Sequence, residues 1–275
     1  MSTSTQNPHV RCCVEQTVAT ITLDRPEKLN AITFAMADAI IEHVAAAADD
    51  PEVHVIVLQG AGPAFTTGVD IDDHLEEQSP GEKTFEADRA DIARAASRWL
   101  GLWTCPTPVI VKAHGWCAAW GIEIAMHADV VLATEDCKFF FPSVRNGAGL
   151  PDSATAVYHL GLQWAKRLLL TGEIIDGRTA ERIGLVCQAY PTLDELDAAV
   201  ADLARRMAVL PPALLTQSKS VLNQSAELMG RPALQVFAEN ANATARRDPE
   251  VATFGEIMQT HGRAAAIAWR EDRLR

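Results

Sequence analysis

Short apolar runs alternate along the chain with longer stretches of helical spacing. VATITLDRP (Val18 to Pro26) clusters β-branched residues and stops at a proline, which predicts a strand. In the segment that follows, Ile32, Met36, Ile40 and Val44 recur one helical turn apart, so a helix is expected there, with Asn30 as its N-cap. Three further apolar runs, VHVIVLQG (Val53 to Gly60), PVIVKA (Pro108 to Ala113) and ADVVLAT (Ala128 to Thr134), predict buried strands, each linked to a helical segment. This alternation predicts an α/β architecture with strands buried on both faces.

The pattern changes from about Ser153. ATAVYHLGLQWAKRLLLTG and LDELDAAVADLARRMAVL have helical periodicity, and no strong strand follows GLVCQAY (Gly184 to Tyr190). The last 80 or so residues are therefore expected to be all-helical, broken at LPPALL (Leu210 to Leu215) and capped at Thr192 and Ser225. The acidic, glycine-containing stretch between Asp73 and Asp91 predicts a mobile loop. The chain has no internal repeat and no low-complexity tract.

Composition narrows the function classes. With 275 residues, 48% hydrophobic and 22% charged, the chain is globular and long enough for a sizeable core. Its 36 acidic residues outnumber 24 Lys and Arg, giving a formal charge of −12 with no basic block, which argues against nucleic acid or anionic membrane as partners. The polar N-terminus lacks an apolar signal core, and six scattered cysteines include no CxxC pair. A soluble cytoplasmic protein with reduced thiols is the expectation. GAGPAF at Gly60 breaks the GxGxxG pattern, no GxxxxGK[ST] or GxSxG is present, and the eight histidines show no metal spacing. No metal is expected.

One carboxylate stands out. In AHGWCAAWGIEIAMHADVV (Ala113 to Val131), Glu123 sits among Ile122, Ile124, Ala125 and Met126, and a charge among apolar neighbours must be paired, neutralised or used. Pairing with Lys112, Arg145 or His114 would make it structural. Use as a general acid or base is the alternative.

The segments ITLDRPEKLNAIT, VIVLQGAGPAFTTGVDI, PVIVKAHGWCAAWGIEIAMHADVVLA, KFFFPSVRNG and LLLTGEIIDGRTAERIGLV resemble the crotonase superfamily, also called the enoyl-CoA hydratase/isomerase family, in order and spacing from about Val10 to Tyr190. The resemblance implies a spiral of ββα units over residues 8–192 and a helical region over 193–275 that packs in homotrimers or homohexamers. It also implies an acyl-CoA thioester substrate, a place in fatty acid metabolism, and no cofactor beyond the coenzyme A of the substrate. Two backbone amides would form an oxyanion hole, and these carry over to Val69 and Trp120. Lys28, Leu29, Ala31, Ala64, Thr67, Gly68, Asp70, Ile71, Trp116 and Pro142 carry over to the CoA and substrate contacts, with Lys28 equally readable as an exposed turn lysine.

The chain also departs from the family pattern. Trp120 stands where glycine is usual, so its indole is expected to narrow or cap the acyl pocket. Glu123 matches one of two catalytic glutamates, but the second position holds Ser143, whose hydroxyl can orient water and cannot hold a proton at neutral pH. Asp152, in GLPDSATAV, is either a helix N-cap or a replacement acid or nucleophile. The leading expectation is reversible hydration of an enoyl-CoA, with Glu123, Ser143 and Asp152 as the catalytic set. Hydrolase- or dehalogenase-like chemistry on Asp152 is one alternative, and acyl-CoA binding without catalysis is another.

Overall fold

The computed structural model describes residues 7–71, 73, 84–146 and 153–272. Six strands form the main sheet in the order β1 (Val10–Glu15), β2 (Val18–Leu23), β3 (Val55–Gly60), β4 (Val109–Ala113), β6 (Val130–Thr134) and β9 (Gln188–Tyr190). All neighbours run parallel except the β1–β2 hairpin. A second sheet holds β5 (Trp116–Ala118), β7 (Lys138–Phe140) and β8 (Ile174–Ile175), in the order β5-β7-β8.

The central strands read as unbroken apolar runs because both of their faces are covered. Along β3, Ile56 and Leu58 join the core that includes Met36, Ile40 and Val44 of α1 (Phe34–Asp49). Their neighbours Val55 and Val57 point the other way, with Ile110 and Leu132, onto Leu196, Val200 and Ala204 of α7 (Leu193–Ala208). Between these lie α2 (Phe85–Arg98), α3 (Leu100–Thr104), α4 (Trp120–His127), α5 (Ala156–Thr171) and α6 (Gly177–Arg182). After α7 come α8 (Pro212–Leu228), α9 (Arg231–Ala245), α10 (Pro249–His261) and α11 (Arg263–Glu271), making eleven helices among the described residues. Buried Lys219 of α8 reaches Asp129 at 2.8 Å and the Leu102 carbonyl at 3.1 Å, while Asp129 also accepts the Val109 amide at 2.7 Å. That pair ties α8 to the end of β4.

Three local expectations need correcting. The N-cap of α1 is Thr33, whose hydroxyl accepts the Met36 amide at 3.2 Å, while Asn30 is fully buried with other work. Ser225 caps nothing, because it lies inside α8 and donates to the Leu222 carbonyl. The stretch expected to be a loop as far as Asp91 turns helical at Phe85, where Thr84 accepts the Ala87 amide; residues 74–83 lie outside the described set. Thr192 does cap α7, accepting the Glu195 amide. No described helix is long and apolar enough to cross a membrane.

Candidate active site

Two loops are knitted together around Asn30. Leu29 and Asn30 take left-handed conformations, at φ 51° and 55°, which turns the Asn30 side chain inward. Its amide donates to the carbonyls of Ala61 and Ala64, both at 2.8 Å, and its oxygen accepts the Arg25 amide at 2.8 Å. Thr66 donates its hydroxyl to the Asn30 carbonyl at 2.6 Å and accepts the Gly68 amide at 2.9 Å. Arg25 reaches Asp70 at 2.5 Å and the Ala31 carbonyl at 3.2 Å. The turn at Lys28 and the Gly60–Asp70 loop are therefore tied together.

Between the two a short parallel bridge joins Ile32 and Val69. Ile32 donates to the Gly68 carbonyl at 2.7 Å and Asp70 donates to the Ile32 carbonyl at 2.8 Å. In a parallel bridge those two bonds use the residues flanking Val69, so the Val69 amide faces away from the Ile32 segment.

The second loop approaches from the other side. Thr66 donates to the Trp116 carbonyl at 2.9 Å, Ala118 donates to the Thr66 carbonyl at 3.1 Å, and Ala119 donates to the Phe140 carbonyl at 3.1 Å. Ala119 is held at φ 49° and ψ −116°, a conformation that costs an L-residue about 1–3 kcal/mol. It ends the strand run abruptly and starts α4 at Trp120, with Ile122 and Glu123 folding back onto the Ala119 carbonyl. The Trp120 amide is thus the first of the helix, at the positive end of its dipole.

Gly68 is where the loops meet. It has φ 92°, and a Cβ there would lie 2.5 Å from Ala119 Cβ, 2.6 Å from the Ala118 carbonyl oxygen and 3.0 Å from the Trp120 nitrogen. Only glycine lets the Gly68–Val69 peptide come this close. The structure so brings Gly68, the residue before Val69, up to the Trp120 nitrogen.

Glu123 lies one turn into the same helix and is 3% exposed. The Ser153 hydroxyl donates to one carboxylate oxygen, and the Ser153 amide approaches the other at 3.4 Å. The three partners considered from the sequence make their described bonds elsewhere: Lys112 with Asp197 at 2.6 Å, Arg145 with the Thr171 carbonyl, and His114 with the Gly62 carbonyl. His127, at the far end of α4, bonds through Nδ1 to the Glu123 carbonyl at 2.7 Å. Burial pushes His127 down to about 4, so it is neutral at pH 7 and donates from Nδ1. Burial lowers His159 as well.

The remaining predicted residues fall as follows. Ser143 is partly exposed at the head of a short 3-10 turn, three residues beyond the Phe140 carbonyl that holds Ala119, and Pro142 beside it is buried. Lys28 and Leu29 are exposed on their turn, with Ala31, Thr67 and Ile71 half-buried. Ala64 is fully buried and offers its carbonyl to Asn30, while Asp70 spends its carboxylate on Arg25. Trp116 is half-buried under the Lys138 ammonium, 5.0 Å from its ring centroid. Asp152 lies outside the described residues.

The Trp120 indole is 7% exposed and packs edge-on against Phe34 and Trp99, at centroid separations of 5.3 and 5.7 Å, with the Arg98 guanidinium 5.6 Å from its ring. Sequence reading missed both this cluster and Ser153. Ser153 looked like one more hydroxyl before a helix, whereas the apolar-looking RWL around Trp99 gave no sign of a partner 21 positions on. Among the described residues, no group of His, Cys, Asp and Glu could hold a metal ion.

A spiral of short parallel strands, a glycine crossing at a helix N-terminus and a buried acid one turn later define a crotonase-fold protein. The enoyl-CoA hydratase/isomerase family model matches residues 14–256, and the chain belongs to that family. It is 31% identical over 216 residues to a probable enoyl-CoA hydratase of Mycobacterium bovis, covering 78% of this chain and 80% of the relative. Among solved structures, an enoyl-CoA hydratase/isomerase from Xanthobacter autotrophicus Py2 superposes with a TM-score of 0.87 at 31% identity, covering 96% of this chain and 98% of the other. An enoyl-CoA hydratase from Mycobacterium smegmatis gives 0.86 at 32% identity, covering 99% and 96%. The protein is therefore an acyl-CoA enzyme of the enoyl-CoA hydratase/isomerase type.

Proposed function

We propose that the protein catalyses reversible hydration of an enoyl-CoA. Addition of water to the conjugated thioester puts negative charge on the carbonyl oxygen, and the Val69 and Trp120 amides receive that charge as a preorganised oxyanion hole. Glu123 exchanges the proton, oriented by Ser153. Ser143 positions the water, and Asp152 is the auxiliary acid. CoA lies along the Lys28–Ala31 turn, with the Lys28 ammonium toward its phosphates, and the thioester passes Thr67, Gly68 and Ile71. The chemistry takes no cofactor beyond the CoA of the substrate. The observation that carries this reading is the meeting of Gly68 with the Trp120 nitrogen at 3.0 Å from a would-be Cβ, on the helix that also presents Glu123.

The test is incubation with crotonyl-CoA and longer enoyl-CoAs, following loss of absorbance of the conjugated thioester. Turnover that Glu123→Gln abolishes is the expected result. Unchanged turnover in that variant overturns it.

A second reading is supported by the serine at 143: nucleophilic or hydrolytic chemistry on Asp152. Trapping of an aspartyl ester, detected by mass spectrometry of the denatured enzyme after a brief incubation, would select it over hydration.

The finer biological setting belongs to the same proposal. The enzyme works as a homotrimer or homohexamer, supported by Leu214, Val221, Leu222, Leu228 and Phe237 of α8 and α9, each at least 63% exposed in the single chain. Light scattering of the purified protein reads this directly. Six free cysteines support the cytoplasm as its compartment and fatty acid metabolism there as its context.

A further inference from the structure

The cluster around the Trp120 indole contains two buried donors that bond to nothing. Trp99 is fully buried, yet its indole Nε1 has no hydrogen-bond partner; the neighbouring Arg98 also keeps a buried, unpartnered Nε. Buried donors are almost always satisfied, because leaving one unmade forfeits its bond to water with nothing in return. Two of them on consecutive residues mark a place built for an acceptor.

Where they stand indicates whose acceptor it is. The Arg98 guanidinium lies over two rings, 5.1 Å from the Phe34 centroid and 5.6 Å from that of Trp120. Phe34 is two residues beyond Ile32, which bridges to Val69, and Trp120 supplies the other amide of the crossing. Trp99 meets the Trp120 ring edge-on at 5.7 Å. Phe34, Trp99, Trp120 and Arg98 therefore form one cluster beside the Gly68–Trp120 crossing, with the guanidinium stacked on the rings. Its only described carboxylate partner, Asp38 at 2.5 Å from Arg98 Nη1, is 67% exposed and on the solvent side.

We propose that Arg98 and Trp99 form a receptor for an anionic oxygen acceptor on the far end of the acyl chain, so that the preferred substrates are CoA monoesters of unsaturated dicarboxylic acids. An alkyl chain would leave both donors unmade, whereas a distal carboxylate offers an acceptor to the Arg98 Nε–H and the Trp99 Nε1–H. The planar guanidinium is suited to that role, since it remains charged while stacked on rings. This inference rests on the acyl-CoA reading of the site and deepens it.

The experiment compares chain-matched thioesters that differ only in a terminal carboxylate or methyl group. Binding of the saturated pair by titration calorimetry needs no turnover, and kcat/KM for the unsaturated pair adds the reaction. The parent is expected to favour the carboxylated member of each pair about 10- to 100-fold, the range of a desolvated charge-assisted bond. In Arg98→Met, which keeps the stem over the rings, the preference disappears through loss on the carboxylated ester alone. Asp38→Asn, which removes the competing carboxylate while leaving Arg98, raises the preference above that of the parent. Equal binding of the two saturated esters by the parent, or an Arg98→Met that weakens both alike, overturns the proposal. Selective binding without turnover of any enoyl-CoA would leave the receptor standing and defeat hydration, so the two failures are distinct.

Discussion

The two sides of the site are built from different materials. On the thioester side, the loops carrying Gly68 and Trp120 are fixed by side-chain bonds from Asn30 and Thr66 and by backbone bonds from Ala118 and Ala119, and what they present is main-chain N–H. On the side where the hydration proposal puts the water, with Ser143 and Ser153, the function depends on which side chains occupy the chain. The difference explains why the departures have unequal consequences. A tryptophan where the family usually has glycine keeps its N–H, so the amide at 120 survives the replacement; a serine where an acid is usual removes the proton carrier outright. Backbone chemistry tolerates sequence change that side-chain chemistry does not.

Glu123→Gln gives the largest effect on this comparison, since it removes the buried carboxylate of α4. A fall in kcat of about 10²- to 10⁴-fold is expected, with little change in binding of a saturated acyl-CoA. A fall of less than about threefold would move the chemistry wholly to the water side. Gly68→Ala attacks the other side without touching any titratable group. Its Cβ would lie 2.6 Å from the Ala118 carbonyl oxygen in a backbone already at φ 92°, so the loops must part. Losing one donor of such a pair costs about 10²- to 10³-fold in kcat. Retention of full activity, in a variant whose circular dichroism matches the parent, would show that the amides need not converge.

Most of this fold was legible from periodicity, and the failures have physical causes. The buried strands β3, β4 and β6 announced themselves because covering both faces demands an apolar run, and β2 did so through β-branched residues that alternate between buried and half-buried. β1 did not, since VRCCVE has a single buried residue and five exposed ones. β5, β7 and β8 are two or three residues long, too short to display a period. Asn30 was read as a cap because asparagine before a helical pattern favours that role; in a left-handed backbone it instead clamps the second loop. At the site, the resemblance pointed to Glu123 and to the amides of Val69 and Trp120. It was silent on Ser153 and on Arg98 and Trp99, because their partners lie 30 and 22 or 21 positions away and no local pattern links them.

Acidification sharpens the comparison through α4, the helix shared by both sides. His127 is 2% exposed and burial holds it at about 4, below the ordinary 6.5. The unfolded chain binds that proton more readily, so the stabilisation is present above about pH 6.5 and is lost as pH falls toward 4. About 2 kcal/mol should go between pH 7 and pH 5 from this residue, on the order of 1.4 kcal/mol per pH unit across that window. His114 and His159, also lowered chiefly by burial, act in the same direction. Asp129, raised by burial, acts in the opposite direction nearer pH 4. Urea midpoints measured at pH 7 and 5 check this, and His127→Asn should flatten the difference. An unchanged midpoint in the parent would mean that the imidazole is not buried in solution.

The smallest expected effect falls at the junction of the two sides. Ser153→Ala removes the hydroxyl that donates to Glu123 and leaves the backbone amide at 3.4 Å from the other oxygen. The carboxylate then stays buried with one donor fewer, so its charge is less favoured and its direction less fixed. A fall in kcat of about tenfold follows from the loss of one charge-assisted bond, with KM changed by less than about twofold. Because the lost donor favours the ionised form, the acid limb of the pH–rate profile should move to higher pH, and Ser153→Thr should move it part of the way back. A purely structural serine would alter stability and leave the limb in place. That outcome would assign the orientation of Glu123 to helix α4 alone, and the water side would then contribute only Ser143 and Asp152.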